Sequence, residues 1–193
     1  MQDFLARYWL DIVTTALGLA YLFFEYRASI WLWAVGALME VMDITLYYQK
    51  GLYADCGMEF YYLAMTVYGF GLWRWGHNSK KELPITHFEH KYIVPWAIAT
   101  LAIWGGIYWL LVTFTDSTVP LADSFTTALS VVGIWALARK YVEQWLVWIV
   151  VDVVTSALYF FKDIPFKASL YALYVVIAIA GYRRWRRLMA TGR

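Results

Sequence analysis

The chain has 193 residues and a net charge of +2, and is 62% hydrophobic, 20% aromatic and only 16% charged. That balance excludes an ordinary soluble domain, in which charged residues make up roughly a quarter of the chain. Its single cysteine, Cys56, excludes an internal disulfide and sits in an apolar setting that fits structural filler.

Apolar segments of about 20 residues suffice for a helix to cross a hydrocarbon layer ~30 Å thick. Seven are predicted: Tyr8–Phe24, Ile30–Tyr48, Asp55–Trp75, Tyr92–Phe114, Leu121–Leu137, Val142–Phe161 and Phe166–Tyr182. Only short connectors remain between them. The apolar runs are continuous and do not alternate with period two, which argues against a transmembrane barrel. The first residues, Met1 to Arg7, lack the basic stretch, short apolar core and small-residue cleavage site of a secretory signal. His77, His87 and His90 share one polar loop after the third span, where solvated side chains are expected and a metal site is not.

Seven crossings put the loops on two sides. One side carries Arg27, Arg74, Lys80, Lys81, Lys91, Arg139, Lys140 and a tail with Arg183, Arg184, Arg186, Arg187 and Arg193; the other carries Arg7, Lys50, Lys162 and Lys167. Basic residues favour the cytoplasmic side, so the amino terminus is expected outside and the carboxyl terminus in the cytoplasm. The basic tail reads as a topology signal and lipid-headgroup anchor, with no nucleic-acid partner expected.

Residues 15–74 recur without a gap 112 positions later, as in Thr15/Thr127, Arg27/Arg139, Trp33/Trp145, Tyr47/Tyr159, Tyr62/Tyr174, Gly69/Gly181 and Trp73/Trp185. Two copies in the same direction require an odd linking span, and the uncharged fourth span, with Pro95, Gly105 and Gly106, fits that role. The expected fold is therefore all-α: seven transmembrane helices in one domain, 1–193, arranged as a parallel 3+1+3 repeat. Residues 8–75 form the first repeat, 92–114 the linking helix and 121–187 the second repeat.

Two polar stripes sit inside the membrane segments. The second span carries Trp33, Gly36, Glu40, Asp43 and Tyr47; the sixth carries Trp145, Trp148, Asp152, Thr155 and Tyr159. Steps of three and four residues place each set on one helix face. Glu40 and Asp152 are repeat mates near mid-span, where an ionised group facing lipid would cost several kcal/mol. Trp33 and Trp145 fit an interfacial aromatic belt or a ligand wall equally well, while Trp148 is deeper and reads as ligand-facing. A purely structural hydrogen-bond network is the competing account of the carboxylates. The third span adds Asp55, Glu59, Tyr62 and Thr66 on one face; the seventh answers with Lys167, Tyr171, Tyr174 and Ala178. Glu59 against Tyr171 is the clearest break in the pseudo-symmetry. Asp11 and Thr15 complete a polar face on the first span. Facing aromatic and acidic stripes suit a flat cationic solute, since each cation–π contact contributes about 0.5–2 kcal/mol. The expected substrate-binding set is Trp33, Glu40, Asp43, Glu59, Tyr62, Trp145, Trp148, Asp152, Tyr159 and Tyr171, with no catalytic residue, metal or cofactor.

The segments Glu25–Trp33 and Gly51–Asp55, answered by Glu143–Trp148, Val151–Val153 and Ala157–Tyr159, resemble the PnuC-type vitamin transporters from about Leu17 to Arg186. That resemblance implies a SWEET-like layout and facilitated diffusion across the bacterial inner membrane. It also implies a homotrimer whose protomers each hold a site, with Trp145 and Trp148 contributing. A cytoplasmic kinase would trap the solute by phosphorylation. The wording around Glu25–Trp33 is similar to the thiamine branch, PnuT, and the Glu59 carboxylate suits a cationic thiazolium. Thiamine is the expected solute on those grounds, nicotinamide riboside the alternative. A proton-coupled carrier or channel is the rival from another class, whereas an enzyme would need a nucleophile and base, or a ligand cluster, at membrane depth. Rocking of the two three-helix bundles about the linking span is the expected mechanism.

Overall fold

The computed structural model describes residues 13, 16–49, 53–76, 83–115, 117–161 and 163–191. Asp11, Thr15, His77, the start of the first predicted span and the side chain of Asp55 lie outside the described residues.

Seven α-helices follow in order: α1 (Ala16–Tyr26), α2 (Trp31–Gln49), α3 (Tyr53–Trp75), α4 (Ile93–Phe114), α5 (Pro120–Ala138), α6 (Gln144–Phe161) and α7 (Pro165–Ala190). Four of the described helices, α4 to α7, are long and apolar enough to cross a membrane. The helices α2 and α3 have the length but dilute their apolarity with Glu40, Asp43, Glu59 and a run of tyrosines. The predicted seventh span ended at Tyr182; the helix in fact runs on to Ala190, so the arginines of the expected tail stand on a continuing helix. Arginine is a good helix former and nothing in Arg183–Met189 breaks the turn.

Helix starts keep the 112-residue offset: α3 begins at Tyr53 and α7 at Pro165. The corners repeat as well. Ala28 ends the first helix with φ 52°, and its mate Lys140 ends the fifth with φ 54°. At the first corner the amide of Ala28 donates to Glu25 and that of Ser29 to Phe24; at the second, Lys140 donates to Leu137 and Tyr141 to Ala136. Both are Schellman turns, which satisfy carbonyls orphaned at a helix end. Asp163 (φ 57°) makes a third between α6 and α7. Proline at the start of α5 and α7 sits where its missing N–H costs nothing.

The chain divides into two compact units, Met1–Leu83 and Pro84–Arg193, so α4 belongs with the second three-helix set. In the second unit packing follows sequence: α4 on α5, α5 on α6, α6 on α7. Trp104 of α4 donates to the buried Ser124 hydroxyl of α5 at 3.0 Å, and Ser156 of α6 donates to the Ala168 carbonyl of α7 at 2.8 Å. The outward faces are apolar and exposed. On α6 they are Leu146, Val150 and Val153, opposite Trp148 and Asp152; on α4 they include Ile98, Leu101, Leu110 and Val112. So much bare hydrocarbon surface needs a bilayer around it.

Candidate functional site

Each unit carries the same aromatic lock. Trp33 packs edge-on to Trp73 with ring centroids 5.5 Å apart, and Trp145 packs edge-on to Trp185 at 5.7 Å, both at 87°. The indoles lie directly against glycine. A Cβ at Gly69 would stand 2.4 Å from Trp33 Cη2, and one at Gly181 would stand 2.6 Å from Trp145 Cη2. No larger residue fits beneath either ring. Trp33 and Trp145 are each 1% exposed and pack within their own half, against Gly69 and Trp73 and against Gly181 and Trp185. Their Nε1 donors meet no acceptor among the described residues.

One turn further into the membrane the halves differ. In the first unit Gly36 of α2 lies under the Tyr21 ring of α1: a Cβ there would meet Tyr21 Cε2 at 3.2 Å, Thr66 Oγ1 at 3.4 Å and Glu40 Oε1 at 3.7 Å. Thr66 of α3 donates to Glu40 Oε1 at 2.8 Å. In the second unit the bulk is exchanged. Gly133 of α5, the mate of Tyr21, lies under Trp148 of α6, the mate of Gly36, with Trp148 Cζ2 3.2 Å from a Cβ at Gly133. Asp152 stands where Glu40 does, buried likewise, and Ala178 where Thr66 does. Each half thus sets one aromatic plate beside one carboxylate, borrowed from opposite helices. Glu40 Oε2 and Trp148 Nε1 are buried with no hydrogen-bond partner among the described residues. A buried polar atom left unmatched costs about 1–3 kcal/mol, so these two have unspent bonding capacity.

At the far ends of α6 and α7 the second unit gathers tyrosines. Tyr159 stacks on Tyr171 with centroids 5.5 Å apart, Tyr171 meets Tyr174 edge-on at 5.5 Å, and Lys167 Nζ lies 5.2 Å over the Tyr159 ring. In the first unit Asp43, Glu59 and Tyr62 are half-buried, with Tyr62 edge-on to Tyr61 at 5.6 Å. Within the first half, then, Glu40 joins Thr66; within the second, Tyr159 joins Tyr171, and Trp148 joins a glycine. No group of three or more histidine, cysteine, aspartate or glutamate side chains suited to a metal occurs among the described residues. Tyr21, Gly133 and Gln144 were not singled out from sequence. Gly133 and Tyr21 were legible as a reciprocal size exchange at the 112-residue offset; Gln144 was legible as a glutamine at the repeat position that Leu32 holds in the first half, both fully buried.

Buried carboxylates on inner faces and bare hydrocarbon on outer ones define a multi-pass membrane protein. The description of the nicotinamide mononucleotide transporter family matches residues 8–187. Similar proteins include the riboflavin/roseoflavin transporter RibM of Streptomyces davaonensis, 26% identical over 92% of this chain and 84% of that protein. The nicotinamide riboside transporter PnuC of Escherichia coli is 21% identical over 92% of this chain and 84% of its own, and PnuC of Neisseria mucosa 24% identical over 94% and 73%. The crystal structure of the vitamin B3 transporter PnuC superposes with a TM-score of 0.76 at 21% identity, covering 99% of this chain and 86% of that one, and so shares the fold. The chain belongs to the nicotinamide mononucleotide transporter family: it is a membrane transporter of the PnuC type.

Proposed function

We propose that the chain carries a flat, nitrogen-ring vitamin across the bacterial cytoplasmic membrane, with nicotinamide riboside the first candidate. The observation that supports it most is the spare bonding capacity of Glu40 Oε2, whose carboxylate shares the space over Gly36 with the Tyr21 ring, and of Trp148 Nε1 on its own indole. A flat ring bearing an amide or ribose hydroxyls carries donors that suit a carboxylate and acceptors that suit an indole N–H. Two of the similar proteins are named nicotinamide riboside transporters and one a riboflavin transporter. That favours the riboside over thiamine, whose case rests on the wording around Glu25–Trp33 and on Glu59, and makes riboflavin the second candidate.

The proposed solute-binding set takes Glu40, Asp43, Glu59 and Tyr62 from the first half and Trp148, Asp152, Tyr159 and Tyr171 from the second. Trp33 and Trp145 belong to the same set, each one turn away within its own half. Transport is proposed to be facilitated diffusion, so uptake into proteoliposomes should not require a pH gradient. The homotrimer, the kinase acting downstream and the parallel 3+1+3 arrangement belong to the same proposal. Calorimetric titration of the purified protein with nicotinamide riboside, riboflavin and thiamine tests it. Saturable binding of the riboside is expected, and binding to none of the three would sink the reading.

A further inference from the structure

The connector ahead of α4 is fastened to the corner between α5 and α6. The Thr86 amide donates to the Lys140 carbonyl at 3.1 Å, and the Val142 amide donates back to the Thr86 carbonyl at 3.0 Å. Glu143 then takes the next two residues: Oε1 lies 2.7 Å from His87 Nδ1, and Oε2 accepts the Phe88 amide at 2.9 Å. Ile85 is buried, and the Phe88 ring meets Tyr141 at 5.3 Å and Trp135 at 6.4 Å. His87 is exposed, as expected of a loop histidine, and is paired with Glu143 as well.

An exposed ion pair adds little stability by itself, so the value of this one lies in what it holds still. Glu143 immediately precedes α6, whose first two residues are the fully buried Gln144 and Trp145, with Trp148 one turn on. The mate of Glu143 in the first half is Trp31, which is exposed and offers no carboxylate. Among the described residues, the first corner has no carboxylate at the position that Glu143 holds in the second.

We infer that Glu143 and His87 are positioning residues: a strap outside the membrane that sets the axial and rotational placement of α6, and through it the Trp148 indole. The inference rests on the functional reading above, in which Trp148 touches the solute. Opening the strap shifts a helix that the solute must find in place, so it weakens binding without removing any solute contact.

The test uses the full chain in detergent, with nicotinamide riboside and riboflavin as probes and amide exchange across 84–89 and 144–148 as an independent readout. Glu143→Ala and His87→Ala should each weaken binding by about 3- to 30-fold, the span expected for residues coupled to a site without touching it. The double variant should be no worse than the worse single one, because both break one unit. Glu143→Gln, which retains an acceptor for the Phe88 amide and a partner for His87, should recover most of the affinity. Exchange should rise at 144–148 as well as at 84–89. If Glu143→Ala does not fold, His87→Ala carries the test. Unchanged affinity in the variants, or faster exchange confined to 84–89, would overturn the strap. A wild-type chain that binds neither probe defeats the functional reading, and this inference with it.

Discussion

The two halves of the chain agree where they are packed and differ where they are chemical. Trp33, Gly69 and Trp73 in one half, and Trp145, Gly181 and Trp185 in the other, make the same contact at the same angle. A turn deeper, Tyr21 over Gly36 becomes Trp148 over Gly133, and the hydrogen-bonded pair Thr66 and Glu40 is replaced at the repeat positions by Ala178 and Asp152. The repeat keeps the contacts that close each helix pair and varies the aromatic and polar side chains one turn on. The halves therefore respond differently to substitution, and the differences separate lock from site.

The largest effect is expected at the lock. Trp33→Ala and Trp145→Ala should each destabilise by about 3–5 kcal/mol, the usual cost of emptying a buried aromatic site. Thermal unfolding in detergent measures it. Equal losses in both halves support a shared packing role. A normal unfolding temperature with lost riboside binding in Trp145→Ala would move that tryptophan from the lock to the site. Gly69→Ala and Gly181→Ala come next, at about 1–3 kcal/mol, because a methyl placed 2.4–2.8 Å from an indole carbon forces the ring to shift.

The exchanged pair gives a sharper test. Gly133→Tyr alone should clash with Trp148, whereas Gly133→Tyr with Trp148→Gly rebuilds in the second half the arrangement of the first. The double variant should be more stable than Gly133→Tyr by about 0.5–3 kcal/mol, the range of coupling between residues in contact. It should nonetheless lose riboside binding, because the indole N–H is gone. Retained binding would remove Trp148 from the site. Thr66→Val should cost about 1–3 kcal/mol by stranding a buried carboxylate oxygen, while the matching Ala178→Val should not strand one.

Much of this was legible in the sequence, and the illegible part has a physical reason. Helix positions, the repeat and the acidic mates Glu40 and Asp152 follow from apolar length and the 112-residue offset, both one-dimensional signals. The role of Trp33 was not legible, because an interfacial tryptophan and a buried one carry the same pattern; only Gly69 beneath the ring separates them. His87 and Glu143 lie 56 positions apart, so no local period connects them. The end of α7 was misplaced because apolarity stops at the membrane surface, while helical hydrogen bonding continues through arginines to Ala190.

The smallest expected effect concerns the corners. Ala28 holds φ 52° at the end of α1, a conformation that costs an L-residue about 1–2 kcal/mol and glycine almost nothing. Ala28→Gly should therefore stabilise the chain, by about 0.5–1 kcal/mol once the greater freedom of glycine in the unfolded chain is set against the relief. Lys140 has a similar φ, but it is buried, so Lys140→Gly should forfeit packing along with the strain. The sign of the change thus depends on which half is substituted. If Ala28→Gly lowers the unfolding temperature as Lys140→Gly does, the corner owes its shape to tertiary contact and not to the Schellman turn.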